Sequence, residues 1–261
     1  MFRRLFVITG LLILLAAIGA GTIAVVRPEL AISVADRSAR LWQKTFGGNP
    51  GPERLTVALE KRLEEKGLRA GMPVFIRIVK ETSELEVWMR HEAQWVHFQT
   101  YSVCKWSGTL GPKLREGDGQ SPEGFYKVTR AALNPNSSYH LSFNLGFPNA
   151  YDRAHGRTGS FLMVHGDCVS IGCYAMRDKG IEDIYGLVEA ALKGGQKAVS
   201  VHVFPFRMTK ENMIRRAGSR WITYWENLKK GWDIFETTRQ PPDAKACGKK
   251  YRFGPVSGPD C

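Results

Sequence analysis

The chain has 261 residues, 43% hydrophobic and 24% charged, with a formal net charge of +12. These proportions exclude a disordered, collagen-like or coiled-coil protein and fit one generous domain plus a terminal segment, or two small domains. Five cysteines are too few for a disulfide-built miniprotein, and the basic excess implies an anionic partner: nucleic acid, acidic lipid or a carboxylate-rich polymer.

Phe2-Arg3-Arg4 precedes an uncharged run over residues 5–26, which Arg27 and Pro28 end. The run exceeds the ~18 residues that a membrane-crossing helix needs. Arg3 and Arg4 favour an N-in orientation. A cleaved signal peptide competes with this anchor, although no A-x-A site follows a short apolar core. Either reading exports the rest of the chain, to the periplasmic face of the inner membrane if anchored, or to the periplasm if cleaved. Nucleic acid then drops out as a partner, leaving the membrane surface and the cell wall. Disulfides persist in such a compartment. The odd count of Cys104, Cys168, Cys173, Cys247 and Cys261 leaves at least one thiol free or bridging two chains.

Residues 28–46 read as a juxtamembrane helix, broken by the Gly/Pro-rich stretch 47–52. Residues 53–66 read as a second helix, with Leu55, Leu59 and Leu63 on one stripe and Gly67 as its stop. Period-two alternation over residues 73–103 predicts three strands in an antiparallel meander, with Cys104 at its end in the core. Residues 107–124 are long and Gly/Pro-rich for a hairpin loop, which points to function. Short β-like stretches follow at 125–130, 139–144 and 161–164. A helix fits 181–193, with Ile181, Ile184, Leu187 and Val188 on its apolar face, and a strand fits 199–204. The last region, 207–261, reads as two short helices capped by Thr209 and Ser219, then a Pro/Gly/Lys-rich tail from Gln240 whose order should be low unless something ties the end down. Trp221, Tyr224 and Trp225 fit a buried stripe better than a sugar platform. Cys247 and Cys261 are expected to pair across the tail, with roughly 3 kcal/mol of loop-closure stabilisation.

The chemistry concentrates in residues 164–176, V-H-G-D-C-V-S-I-G-C-Y-A-M. A strand delivers His165, Gly166 permits a sharp turn, and Gly172 precedes Cys173. Histidine can make the cysteine a thiolate, and backbone N–H groups around Cys173 and Tyr174 can stabilise an oxyanion. Three other readings stay open on these residues: zinc on His165, Cys168 and Cys173, a Cys168–Cys173 disulfide, or a structural histidine beside a buried cysteine.

His165-Gly166 followed by Ser170-x-Gly172-Cys173 resembles the signature of the L,D-transpeptidase (YkuD-type) family. Upstream, Gly111-Pro112-Lys113, Gly117-Asp118 and Ser121-Pro122-Glu123-Gly124-Phe125-Tyr126 resemble that family's G-x-K, GD and TPEG-x-Y segments. The likeness covers roughly residues 72–206. SPEGFY, GFPNAYDRAHG and HGDCVSIGCYAM are closer still to the YafK-type branch, whose members are assigned as peptidoglycan–protein amidases.

The resemblance implies an α+β, β-rich sandwich with flanking helices, preceded by the N-terminal transmembrane helix. It divides the chain into an anchor or signal (1–27), a helical linker (28–71), the catalytic domain (72–206) and a helical extension with its tail (207–261). It implies Cys173 as nucleophile and His165 as acid–base, with Gly172, Tyr174 and Ser170 positioning the nucleophile or its oxyanion. No metal or cofactor is implied. The partners are peptidoglycan stem peptides and a wall-attached envelope protein, joined through an amide of meso-diaminopimelate. Asp152, Arg153, His155 and Arg157 form a polar loop before the His165 strand. From it Arg153, with His155, Asp152 and Gly166, is a candidate to meet a substrate carboxylate, an Arg153–Asp152 pair within the loop being the alternative. Lys113 reads as a solvated loop residue. Two departures, Ile171 at the position of a second histidine and Ala175 where Arg or Asn often follows the cysteine, favour water over an amine as acyl acceptor. Ordinary crosslinking and a non-catalytic wall-binding module remain the alternatives.

Overall fold

Strands β1 (Val74–Val79), β2 (Glu84–His91) and β3 (Gln94–Ser102) form the expected antiparallel meander, with a register shift between Val87 and Trp88. The computed structural model describes residues 55–255 and Cys261. The expected membrane or signal segment and the juxtamembrane helix lie outside these residues. Among the described residues no helix is long and apolar enough to cross a membrane.

Strand β9 (Val199–Phe204) runs parallel to β1, and β4 (Gly124–Val128) pairs antiparallel with β9. The five-stranded order is therefore β3-β2-β1-β9-β4. A second sheet holds β5 (Leu133–Ser137), β6 (His140–Asn144), β7 (Met163–His165) and β8 (Tyr174–Ala175) in that order. The helices are α1 (Val57–Glu64), α2 (Ala150–Ala154), α3 (Asp178–Lys193), α4 (Lys210–Arg215) and α5 (Ile222–Thr238).

One core is built between the two sheets and α3. Ile76 and Val87 from the first sheet, Phe143 and Val164 from the second, and Ile184 and Val188 from α3 are all fully buried in one cluster. Each such side chain contributes about 1.5–3 kcal/mol by leaving water. Leu59 and Leu63 of α1 join the same cluster.

The other face of the five-stranded sheet is also covered. Helix α5 lays Trp225, Leu228 and Trp232 over Phe125, Phe204 and Phe206, and Phe235 against Phe75 and Trp88. Both faces of β1 are therefore buried, including Arg77, which pairs with Glu86 at 2.7 Å and Glu236 at 2.5 Å and lies 4.1 Å from the Trp232 ring.

The C-terminal region corrects one expectation, the short second helix. Thr209 caps α4 as expected, but the second helix is long, and its cap position is Trp221; the Ser219 hydroxyl instead accepts the Trp221 N–H. Residues 244–253 of the tail are tied down as a hairpin of β10 (Ala244–Cys247) and β11 (Lys250–Phe253), whose buried Tyr251 stacks on Tyr151 at 4.1 Å. A Cys247–Cys261 disulfide closes it, matching the expected pairing.

Candidate active site

Strands β7 and β8 pair in parallel, Val164 with Tyr174 and His165 with Ala175, although only eight residues join them. Parallel neighbours normally need a longer crossover, so the connection is pinned at several points. The Gly166 N–H reaches the carbonyls of Tyr139 and Leu141, and a Cβ at Gly166 would lie 2.7 Å from both Tyr139 O and Asp178 Oδ1. Gly172 adopts φ 137°, where side chains are rarely tolerated. Met176 N–H returns to His165 O at 2.8 Å. Finally, Cys168 in the turn is disulfide-bonded to Cys104, just beyond β3.

That bridge removes two of the open readings, the zinc site and the Cys168–Cys173 disulfide. Cys104 is not a core thiol, and Cys168 is available neither to zinc nor to Cys173. Cys173 is the free cysteine among the described residues. Its Sγ accepts the Met163 N–H at 3.4 Å, and its S–H donates to Phe161 O at 3.7 Å. Burial pushes the thiol pKa up, opposed by the Met163 N–H and by the charge of Lys113. The Cys173 carbonyl accepts from the hydroxyls of Ser170 at 2.8 Å and Ser121 at 3.1 Å. Ser170 also accepts the Gly172 N–H and meets Ser107 Oγ at 3.1 Å. Ser170 thus both makes the turn and fixes the cysteine backbone.

His165 is buried, with its ring 4.9 Å from that of Tyr139. Its Nδ1 lies 2.6 Å from the Gly166 carbonyl. A carbonyl can only accept, so Nδ1 carries the proton and the neutral ring leaves Nε2 as a bare acceptor. Burial lowers the pKa of the imidazole. Cys173 immediately precedes β8 and its Sγ meets the N–H of Met163, which shares a face of β7 with His165. No hydrogen bond joins the thiol to the imidazole in this arrangement. Phe161, Ile171 and Val169, all exposed, form an apolar rim beside the thiol turn.

The long loop 107–124 walls this turn through Ser121, the first residue of the S-P-E-G-F-Y motif, and through Ser107, which sequence reasoning did not single out. Its Lys113 is not solvated: it is 3% exposed and pairs with Asp118 at 2.6 Å. Tyr174 is fully buried and donates to Pro122 O at 2.7 Å, so its side chain belongs to the core and only its backbone faces the chemistry. Tyr224 and Trp225 are buried as expected, donating to the carbonyl and carboxylate of Glu123, while Trp221 is half-buried.

The expected polar loop before β7 is in fact helix α2 and its exit. Asp152 is fully buried, bonded to Arg157 at 2.8 Å, to the Asn149 N–H at 3.2 Å and to Tyr126 at 3.3 Å, so it cannot meet a substrate. Arg157 is buried with it. Arg153 and His155 are exposed, Arg153 donating to Pro148 O and His155 lying 3.1 Å from Lys249 O. The helical capping box, with Asn149 and Asp152 as its two members, explains why this polar stretch folds inward.

The profile of the L,D-transpeptidase catalytic domain (YkuD) matches residues 76–203, which span both sheets and the Cys173 turn. The chain is 47% identical over 207 residues to "Putative L,D-transpeptidase YafK" of Escherichia coli K12, covering 79% of this chain and 83% of that protein. The same identity and coverage hold for its counterpart in Escherichia coli O157:H7. The chain belongs to the L,D-transpeptidase family, and within it resembles YafK. Among solved structures, the helical cell shape determining protein Pgp2 of Campylobacter jejuni aligns with TM-score 0.42 and 18% identity, over 72% of this chain and 79% of that one. Bd1075 of Bdellovibrio bacteriovorus aligns with TM-score 0.38 and 21% identity, over 62% and 60%. Likenesses this distant do not bear on the reaction.

Proposed function

We propose that this protein is a thiol-dependent peptidoglycan enzyme that hydrolyses the amide between a wall meso-diaminopimelate and an attached envelope protein. The observation that carries the reading is the state of Cys173: the one unpaired cysteine of the described chain, fixed on a strand edge beside a histidine whose Nε2 is bare. In the reaction His165 Nε2 takes the thiol proton as the side chain swings from Phe161 O. The thiolate bonds to the amide carbon at the L-centre of diaminopimelate, and the carbonyl electron pair moves onto oxygen. Collapse expels the side-chain amine of the attached protein, which takes its proton from His165 and leaves a thioester. Water activated by the same imidazole then cleaves the thioester, giving a carboxylic acid and regenerating the thiol. The N-terminal apolar run supports action at the periplasmic face of the inner membrane.

Water is favoured over an amine by Ile171, which is 80% exposed at the rim and offers no polar group to orient an acceptor. Ala175 no longer adds to this argument, because it is fully buried in β8. Purified wall carrying bound protein is the test, with mass analysis of the fragments released. Free stem product that vanishes in Cys173→Ser and survives in Cys247→Ser is expected. Robust transfer of the stem onto an added Lys-terminated peptide, with little hydrolysis, restores the crosslinking alternative.

A further inference from the structure

A cavity of about 340 Å³ lies between the long loop and the corner that opens α5. Leu110, Pro112, Leu114 and Trp221 give it apolar walls, and Asp118 and Arg220 are its charged groups. The two charges differ in kind. Asp118 is consumed: it accepts from Lys113 at 2.6 Å and from the N–H groups of Leu114, Arg115 and Gln120 at 2.8, 3.1 and 3.0 Å. Arg220 has no acidic partner among the described residues. Its guanidinium is exposed and lies 4.4 Å from the Trp221 ring centroid, a platform that presents it without neutralising it. Trp221 is also the cap position of the 17-residue α5, whose first turn carries no acidic residue, so the positive end of that helix adds to the field.

The cavity shares a wall with the thiol site. Gln120 lines it, and the Gln120 carbonyl is 3.6 Å from where a Cβ would stand on Gly172, the residue before Cys173. The next residue, Ser121, holds the Cys173 carbonyl. Leu114 lines it too, and its carbonyl accepts from Thr158 in the segment leading to Phe161.

We propose that this cavity is a carboxylate-binding subsite for the peptide substrate, with Arg220 as its cation and Trp221 as its apolar floor. The proposal rests on the peptidoglycan reading above. A stem peptide or the peptide it is joined to can carry the carboxylate, and the guanidinium fork suits either. Arg220 and Trp221 lie outside residues 76–203, so the C-terminal extension supplies this specificity element.

The test is a binding titration of the full chain carrying Cys173→Ala, with a soluble stem–Lys-peptide conjugate as probe. Four probes are compared: carboxylates free, stem carboxylates amidated, the Lys peptide's C-terminus amidated, and both amidated. Arg220→Ala should weaken the free conjugate roughly tenfold, the loss of one charge-assisted contact. Arg220→Lys should recover part of it. The doubly amidated probe should bind both proteins alike, and the singly amidated ones show which half reaches Arg220. Binding of the free conjugate within twofold of the parent in Arg220→Ala, or no binding to either protein, overturns the subsite. Failure of the hydrolase reading shows separately, as a Cys173-intact protein that binds the conjugate but never cleaves it.

Discussion

Lys80, at the end of β1, has no exposed surface, and its ammonium meets four oxygens: Thr109 O at 2.8 Å, Gly111 O at 3.1 Å, Ser121 O at 3.0 Å and Glu123 Oε1 at 3.0 Å. It thereby fastens the loop whose Ser121 hydroxyl holds Cys173. Lys80→Met keeps the apolar stem and removes the charge. Gln120 Nε2 still reaches Thr109 O at 2.5 Å and Gly111 O at 2.8 Å, so those carbonyls keep a donor. The Ser121 carbonyl is left with a contact of 3.4 Å. Glu123 keeps only neutral donors, the Gly111 N–H at 2.7 Å and Trp225 Nε1–H at 3.0 Å. The dominant penalty is therefore an uncompensated buried carboxylate, about 3–5 kcal/mol. For a domain of this size that lowers the melting temperature by roughly 10 °C. Adding Glu123→Gln removes the stranded charge and should recover most of the loss. Thermal and urea melts of the parent, single and double variants decide this, with activity assayed well below the lower transition. A Lys80→Met protein within about 1 kcal/mol of the parent, or a double variant no more stable than the single, refutes the reasoning.

The pH–rate profile should lose activity on the acid side only below the ordinary histidine value of about 6.5, because burial lowers the His165 pKa and the neutral ring must accept the thiol proton; an acidic limb centred above that value contradicts a neutral general base. Cys104→Ala/Cys168→Ala opens a bridge with a sequence separation of 64. By chain entropy it should cost roughly 4 kcal/mol, with a larger fractional loss of activity than Cys247→Ala causes; equal losses would mean that the bridge does not brace the thiol turn. His202 is buried among Phe75, Phe125 and Phe204, its Nδ1 lacks a partner, and burial with nearby Arg77 and Lys127 holds its pKa down at about 3. Between about 6.5 and 3 the unfolded chain binds this proton and the folded one does not, so stability falls with falling pH by on the order of 1.4 kcal/mol per unit. His202→Leu should flatten that slope in urea titrations across the window, and an unchanged slope refutes it.

The meander was legible because Val74, Ile76 and Ile78 face one core while Phe75 and Val79 face another, and alternation survives when both sides are buried. Strand β5 was not legible: it reads L-N-P-N-S, and Pro135 is tolerated only because β5 is the edge of its sheet. The length of α5 was hidden by Gly231, which looks like a stop but lets the helix approach Phe125 so closely that a Cβ would lie 2.6 Å from its ring. The order of the tail depends on Tyr251 docking against Tyr151, a contact between distant residues that composition cannot register. At the site, His165 and Cys173 were visible in a contiguous motif. Their supports were not: Lys80 follows an apolar strand without any local signal, and Ser107 acts through Ser170, 63 positions later. The partner of Cys168 was likewise set by β8 meeting the end of β3, where Cys104 N–H donates to Ala175 O at 2.7 Å.

Oxidation of this chain has to choose between two partners for Cys168. Cys173 is a close neighbour in sequence, and loop-closure entropy favours the shorter ring. A bridge formed on proximity alone would therefore consume the sulfur of the proposed nucleophile. The native choice requires the end of β3 to dock on β8 before the sulfurs are oxidised, or later exchange in which a thiolate attacks the wrong bridge. Polypeptide recovered under reducing conditions presents five thiols, and the 104–168 and 247–261 pairings leave Cys173 as the free one. Mapping which cysteine an alkylating reagent labels thus separates natively bridged chains, labelled at Cys173, from those bridged 168–173, labelled at Cys104.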